Sequence, residues 1–136
     1  MLTICRITRQ QHEEAFSLMR ELRSALEFEA FVARLERQQQ HGYELHGAIE
    51  NEIVGLIGFR DVETMARGPH IHVDDLVISK AQRSAGIGRK LMEYVESIAS
   101  EKNLGGIFLD SRLDVVDFYK GLGYEFHKAQ LMCKRF

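Results

Sequence analysis

The stretch from Leu76 to Ile98 constrains this chain most. An apolar run, Leu76-Val77-Ile78, leads into the turn Arg83-Ser84-Ala85-Gly86-Ile87-Gly88. Ile87, Leu91, Tyr94, Val95 and Ile98 then fall at the spacing of an amphipathic helix. A strand that hands over to a helix in this way implies layered α/β architecture. It also places two glycines where a helix begins. The first N–H groups of a helix lack intrahelical partners and carry partial positive charge. Glycine lets that backbone come close to a bound group, so the turn reads as an anion site. Arg83, Arg89 and Lys90 add positive charge around it. Read on spacing alone, the same glycines serve equally well for close packing of strand on helix. The segment is not a P-loop, because no G-x-x-x-x-G-K-[ST] occurs. It is not a dinucleotide fingerprint either, because Leu91 stands where the third glycine belongs.

The flanking sequence fills in the rest. Leu2 to Ile7 alternates loosely and predicts a first strand. From about Gln10 the period becomes helical, with Ala15, Phe16, Met19, Leu22 and Leu26 in register. Phe28, Phe31, Val32 and Leu35 predict a second helix ending near His41-Gly42. Tyr43–Ile49 and Ile53–Asp61, around Glu50-Asn51-Glu52, read as a hairpin. Thr64 to Pro69 reads as a loop, with Pro69 marking a strand edge. His70 to Ile78 is predicted as a strand with His70, His72, Asp74 and Leu76 on one face and Ile71, Val73, Asp75 and Val77 on the other. Ile107-Phe108-Leu109 is a short strand apolar on both faces. Val115 to Leu122 is a short helix, and Tyr124 to Phe136 has strand character. The expected order is β-α-α-β-β-β-α-β-α-β, with the tail allowing one more strand. That is one α/β domain over residues 1–136, with a mixed sheet of about six to seven strands and about four helices.

Composition excludes some functions. A formal net charge of -2 over 136 residues provides no broad basic field for nucleic acid or an anionic membrane. No apolar run approaches the roughly 20 residues of a membrane span. The start, Met-Leu-Thr-Ile-Cys-Arg, lacks the pattern of a signal peptide. Cys5 and Cys133 have no metal-ligand spacing, so no metal is expected, and they read as free thiols of a reducing cytoplasm.

Two longer patterns make the reading specific. Gln82-Arg83-Ser84-Ala85-Gly86-Ile87-Gly88-Arg89 resembles the [QR]-x-x-G-x-[GA] signature of the GNAT superfamily of N-acetyltransferases. Phe118-Tyr119-Lys120-Gly121-Leu122-Gly123-Tyr124 resembles that family's second landmark, F-Y-x-x-L-G-[FY]. Both occur in the family's order, and the element order matches along nearly the whole chain. The resemblance implies a GNAT-like fold and an acyltransferase using acetyl-CoA, without a metal. Leu76, Val77 and Ile78 would pair with the pantetheine arm. Arg83, Ser84, Ala85, Gly86, Ile87, Gly88 and Arg89 would hold the pyrophosphate, and Phe118 would also bind the cofactor.

The chemistry then sets demands. A lysine-like amine, with a pKa near ~10.4, must lose a proton before it can attack, and a leaving thiolate gains from a proton donor. By resemblance Tyr119 is the general acid; the plainer reading is a core tyrosine. The glutamate that the family often carries on the strand before the turn is missing between Pro69 and Ile78. His72 or His70 can serve as base there, since histidine titrates near ~6.5, and the plain alternative is a solvated strand face. Asp74 orients the base or binds substrate, and Asp74 and Asp75, with Glu63, suit a cationic acceptor. An N–H of Val77 or Ile78 would hold the thioester oxygen. The family's asparagine after the buried strand is absent, and Ser111 is its candidate replacement, while Arg112 can pair with Asp110 or Asp114. Glu27, Glu29 and Arg34 can line the acceptor pocket. The acceptor is expected to be a small-molecule amine or a protein amino group. The edge of the terminal strand offers a surface for pairing into a homodimer. The alternative function is a non-catalytic module that binds acyl-CoA.

Overall fold

The protein is described here from a computed structural model that covers residues 1–83 and 85–136. Ser84, a candidate cofactor contact, lies outside the described residues. The elements run β1 (Thr3–Arg6), α1 (His12–Leu22), α2 (Phe28–Gln39), β2 (Tyr43–Glu50), β3 (Glu52–Thr64), β4 (Gly68–Ile78), α3 (Ile87–Glu101), β5 (Ile107–Leu109) and α4 (Val116–Gly121).

Local chemistry sets these boundaries. The Gln11 side-chain oxygen accepts the Thr8 N–H at 2.8 Å and fixes the entry to α1. Gly42, at φ +94°, closes the segment after α2 in the left-handed region that glycine tolerates. Asn51, at φ 67°, turns the β2–β3 hairpin.

The sheet has the order β1-β2-β3-β4-β5. The first four strands are antiparallel to their neighbours, whereas β5 is parallel to β4, as a crossover through α3 requires. The helices cover both faces. Ala15, Leu18 and Met19 of α1 and Phe31 and Leu35 of α2 pack on Leu45, Leu56 and Val77. On the opposite face Leu91, Met92 and Val95 of α3 pack on Ile57, Phe59, Ile71 and Val73.

Several expectations need correction. The sheet has five strands among the described residues, not six to seven. The tail after Tyr124 forms no strand and is exposed throughout. Its apolar groups find no face to cover. Phe126 lies against the Lys120 ammonium (4.7 Å) and the His127 ring meets Phe108 edge-on, while Leu131 and Met132 stay exposed. The tail therefore presents no terminal strand edge of the kind expected for pairing with a second copy.

The expected loop from Thr64 to Pro69 is shorter, because β3 and β4 pair as far as Thr64 and Gly68. Pro69 lies inside β4 opposite Glu63, where its carbonyl accepts the Gly105 N–H at 2.8 Å. The predicted faces of β4 also fail beyond Val73. Gly58 pairs with Asp75 and Phe59 with Val73, so Asp74 is an extra residue, a β-bulge. The bulge inverts the alternation. Val77 joins the cluster under α1 and α2, while Leu76 and Ile78 join Ile71 and Val73 under α3.

The bulge lies where the sheet opens. β5 pairs with β4 only from Ile71 to Val73. Beyond Val73, β4 runs on to Ile78 with no strand on that side among the described residues, and the Asp74 and Ile78 carbonyls accept from Arg23 and Arg83 instead.

Candidate functional site

Two neighbouring cavities lie beside the bulge, and Leu76–Ile78 line neither. The first, of about 950 Å³, is bounded by the α1–α2 connection, α2, and the bulged part of β4. The second, of about 1050 Å³, lies between β5, α3, α4 and the tail. His72 and Asp110 line both, so the cavities meet there.

The glycine turn lies at the start of α3. Gly86 is the residue before the helix and takes φ +79°, ψ 12°. A Cβ there would touch nothing within 4 Å, so the backbone conformation, not space, calls for glycine. Gly88 is different. It is buried, and a Cβ would lie 3.0 Å from Cζ of Phe118. The two sequence landmarks are therefore in physical contact, since the α4 aromatic packs on the first turn of α3. No acidic residue occupies that turn to compete with an anion. Arg83 donates weakly to the Ile78 carbonyl (3.4 Å) and lies 3.9 Å from Glu21. Arg89 pairs loosely with Glu93 at 3.8 Å. Ala85 is exposed, whereas Ile87 is buried and anchors the turn to the core.

The two histidines separate. His70 is 2% exposed, its Nδ1 meets the Gly68 carbonyl at 2.8 Å, and its ring lies edge-on to Phe108. It lines neither cavity. His72 lies at the junction. Its Nδ1 is 3.1 Å from Asp74 Oδ1, and its Nε2 is 3.7 Å from Asp110 Oδ2. A carboxylate only accepts, so Nδ1 carries the hydrogen and donates to Asp74, leaving the Nε2 lone pair free.

Asp74 also receives the Arg60 fork, from Nε at 2.6 Å and Nη2 at 3.0 Å. Burial works to raise its pKa, but the hydrogen bonds from His72 and Arg60 outweigh burial and hold it below the ordinary carboxylate value. Asp75 accepts two bonds from Arg23 and one from the Tyr43 hydroxyl at 2.7 Å. Burial, and then the Asp75 charge, push the Tyr43 phenol well above its usual pKa, so it stays a donor. Gly58 makes room for that phenol, since a Cβ there would collide with it. Both aspartates are thus already neutralised by arginines.

Tyr119 lines the second cavity beside Phe118 and Tyr124. Burial raises its pKa, so it keeps its proton at neutral pH. Ser111 lines the same cavity and donates to the Arg112 carbonyl at 2.8 Å. Arg112 is 3.6 Å from Asp114. Glu27 and Arg34 line the first cavity, whereas Glu29 and Glu63 line neither.

The sequence reading missed Arg23, Tyr43, Arg60, Arg37 and Asp110. Only Asp110 carried a local signal, its position directly after the buried strand. The others reach the site through tertiary contacts, such as the 52 positions between Arg23 and Asp75.

The chain matches the model of the Acetyltransferase (GNAT) family over residues 6–124. It is 30% identical over 115 residues to the uncharacterized N-acetyltransferase YhdJ of Bacillus subtilis, covering 83% of this chain and 81% of YhdJ. Its fold is similar to that of a Trypanosoma brucei acetyltransferase, with TM-score 0.85 and 21% identity over 99% of this chain and 100% of that one. A GNAT family acetyltransferase of Staphylococcus aureus gives TM-score 0.82 at 20% identity, over 98% of each chain.

Proposed function

The chain belongs to the Acetyltransferase (GNAT) family and is an acyltransferase, and on that premise we propose that it moves an acetyl group from acetyl-CoA to a primary amine by direct attack. The observation that carries this reading is His72, oriented by Asp74 at the junction of the two cavities. In this reading acetyl-CoA lies along the α3 turn and the adjoining edge of β4, with its acetyl end toward His72 at the junction of the cavities. Its pyrophosphate meets the N–H groups from Gly86 to Arg89 at the helix start, with Arg83 beside them. The pantetheine arm runs along the edge of Leu76, Val77 and Ile78 that carries no strand among the described residues, with Phe118 and Ser111 as further contacts. The acceptor enters from the first cavity.

The amine arrives largely as ammonium, and His72 Nε2 takes a proton from it, directly or through one water. Asp74 stays ionised and steadies the imidazolium that results. The freed lone pair attacks the thioester carbon, and a bond forms from nitrogen to carbon. The carbonyl oxygen takes the negative charge, held by an N–H of Val77 or Ile78. The tetrahedral species collapses with cleavage of the carbon–sulfur bond. The nitrogen loses its second proton to solvent and the thiolate takes the Tyr119 proton, leaving a neutral amide and free coenzyme A; His72 then releases its proton to solvent and Tyr119 regains one.

The test is thiol release from acetyl-CoA over a panel of amines, amino acids and peptides. The expected result is release with at least one acceptor, slowed roughly 10- to 100-fold in Tyr119→Phe. Tight binding of acetyl-CoA with no thiol release from any acceptor would instead mark a non-catalytic acyl-CoA-binding module.

A further inference from the structure

The first cavity carries charge that the transfer chemistry does not use. Asp74 is held by Arg60 and His72, and Asp75 by Arg23 and Tyr43. Those carboxylates therefore offer little to a cationic acceptor. Two other lining groups, Arg34 and Arg37 of α2, have no ion-pair partner within 4 Å among the described residues. They are three positions apart, which puts them on one face of the helix. That face continues through Ala30 and Gln38, which also line the cavity, and the short Ala30 leaves room in front of it. Glu27, the carboxylate on this wall, precedes Arg34 by two helical turns, about 10 Å. Across the cavity, Asp110 and His72 Nε2 face each other at 3.7 Å. One wall is therefore cationic and rich in donors, and the other offers a base and a free carboxylate.

We propose that the acceptor carries an anionic group, carboxylate or phosphate, in addition to its amine. Arg34 and Arg37 hold the anion with their guanidinium forks, which match both groups in geometry. His72 and Asp110 face the amine. The cavity, at about 950 Å³, has the size of a small-molecule site. The amine end of this assignment rests on the acetyl-transfer reading; the anion end stands on α2 alone.

The experiment compares matched acceptors: ethanolamine phosphate with ethanolamine, and β-alanine with its amide. The two pairs distinguish phosphate from carboxylate. The anion-bearing member of at least one pair should show a KM tenfold or more lower. Arg34→Ala/Arg37→Ala should abolish that preference, bringing the two members of the pair to equal KM, and the double lysine variant should restore part of it. Both side chains are exposed, so these changes leave the fold intact. Equal KM within both pairs, or a preference that survives the double alanine change, overturns the proposal. Saturation-transfer NMR on the protein loaded with coenzyme A reads the same preference without turnover, and its absence there has the same force. Failure of acetyl transfer alongside an intact, arginine-dependent anion preference would sink the function above and leave this assignment standing.

Discussion

The turn that begins α3 and the cavity beside α2 differ in where the chain finds their parts. The turn is local. Its strand, its two glycines and its helix all fall between Leu76 and Ile98, with Phe118 packed on it from farther along the chain. The cavity is assembled from afar: Arg23, Arg60, Tyr43 and Asp110 converge on a bulged strand. The contrast tells how each half responds to change. A local backbone device is broken by altering one residue's conformation or volume. A network of ion pairs is altered by removing a partner, which leaves a half-buried charge exposed to its neighbours.

The largest expected effect lies in the acceptor half. His72→Ala should lower kcat by about 10²- to 10⁴-fold, the usual range for a positioned base. Acetyl-CoA affinity should be unchanged by calorimetry. A parallel loss of cofactor affinity would erase the division between the halves. Next comes the cofactor half. Gly88→Val forces methyl groups against Phe118 and should cost about 1–3 kcal/mol of stability by urea unfolding. It should weaken acetyl-CoA binding as well, because the α3 turn and α4 are displaced together. An unchanged unfolding midpoint would show that the two landmarks are not packed as described.

The smallest effect belongs to a site outside both halves and serves as their control. His46 accepts at Nδ1 from the Tyr94 hydroxyl (2.7 Å) and donates from Nε2 to Glu44 (3.0 Å). Burial lowers its pKa from 6.5, against the opposing pull of Glu44. The unfolded chain therefore binds this proton more readily than the folded one. The stability involved is complete above about pH 6.5 and is lost as pH falls toward the lower folded value. Urea midpoints at about pH 7.5 and about pH 5.5 should differ less in His46→Gln than in the wild type. Acetyl-CoA binding at the higher pH should not change.

The same contrast explains what could be read from residue order. Gly86 and Gly88 stand beside an apolar strand and an amphipathic helix, so their role is written within about a dozen positions. The hairpin around Asn51 and the helix stop at Gly42 were legible for the same reason. The bulge at Asp74 was not, since the residue itself has no special backbone chemistry and the inversion depends on how β3 pairs. Without it, Asp75 and Val77 are assigned to the wrong face. The histidine pair shows the limit in miniature. His70 and His72 look equivalent two positions apart, yet the first is closed in by Phe108 and the Gly68 carbonyl while the second reaches the cleft. The tail from Tyr124 to Phe136 has strand character in the sequence, but a strand needs a partner edge and a face to bury, and residues 125–136 have neither in the structure.

The proposed function places acetyl-CoA at the start of α3. Calorimetric titration of acetyl-CoA into the wild type and into Gly86→Val tests it most directly. Valine cannot readily adopt φ +79°, so the N–H groups of the turn lose their alignment while the helix beyond keeps its core contacts. Saturable binding by the wild type, weakened about tenfold or more in a variant with unchanged circular dichroism, is the result predicted. No binding by the wild type, or equal binding by the variant, would contradict it.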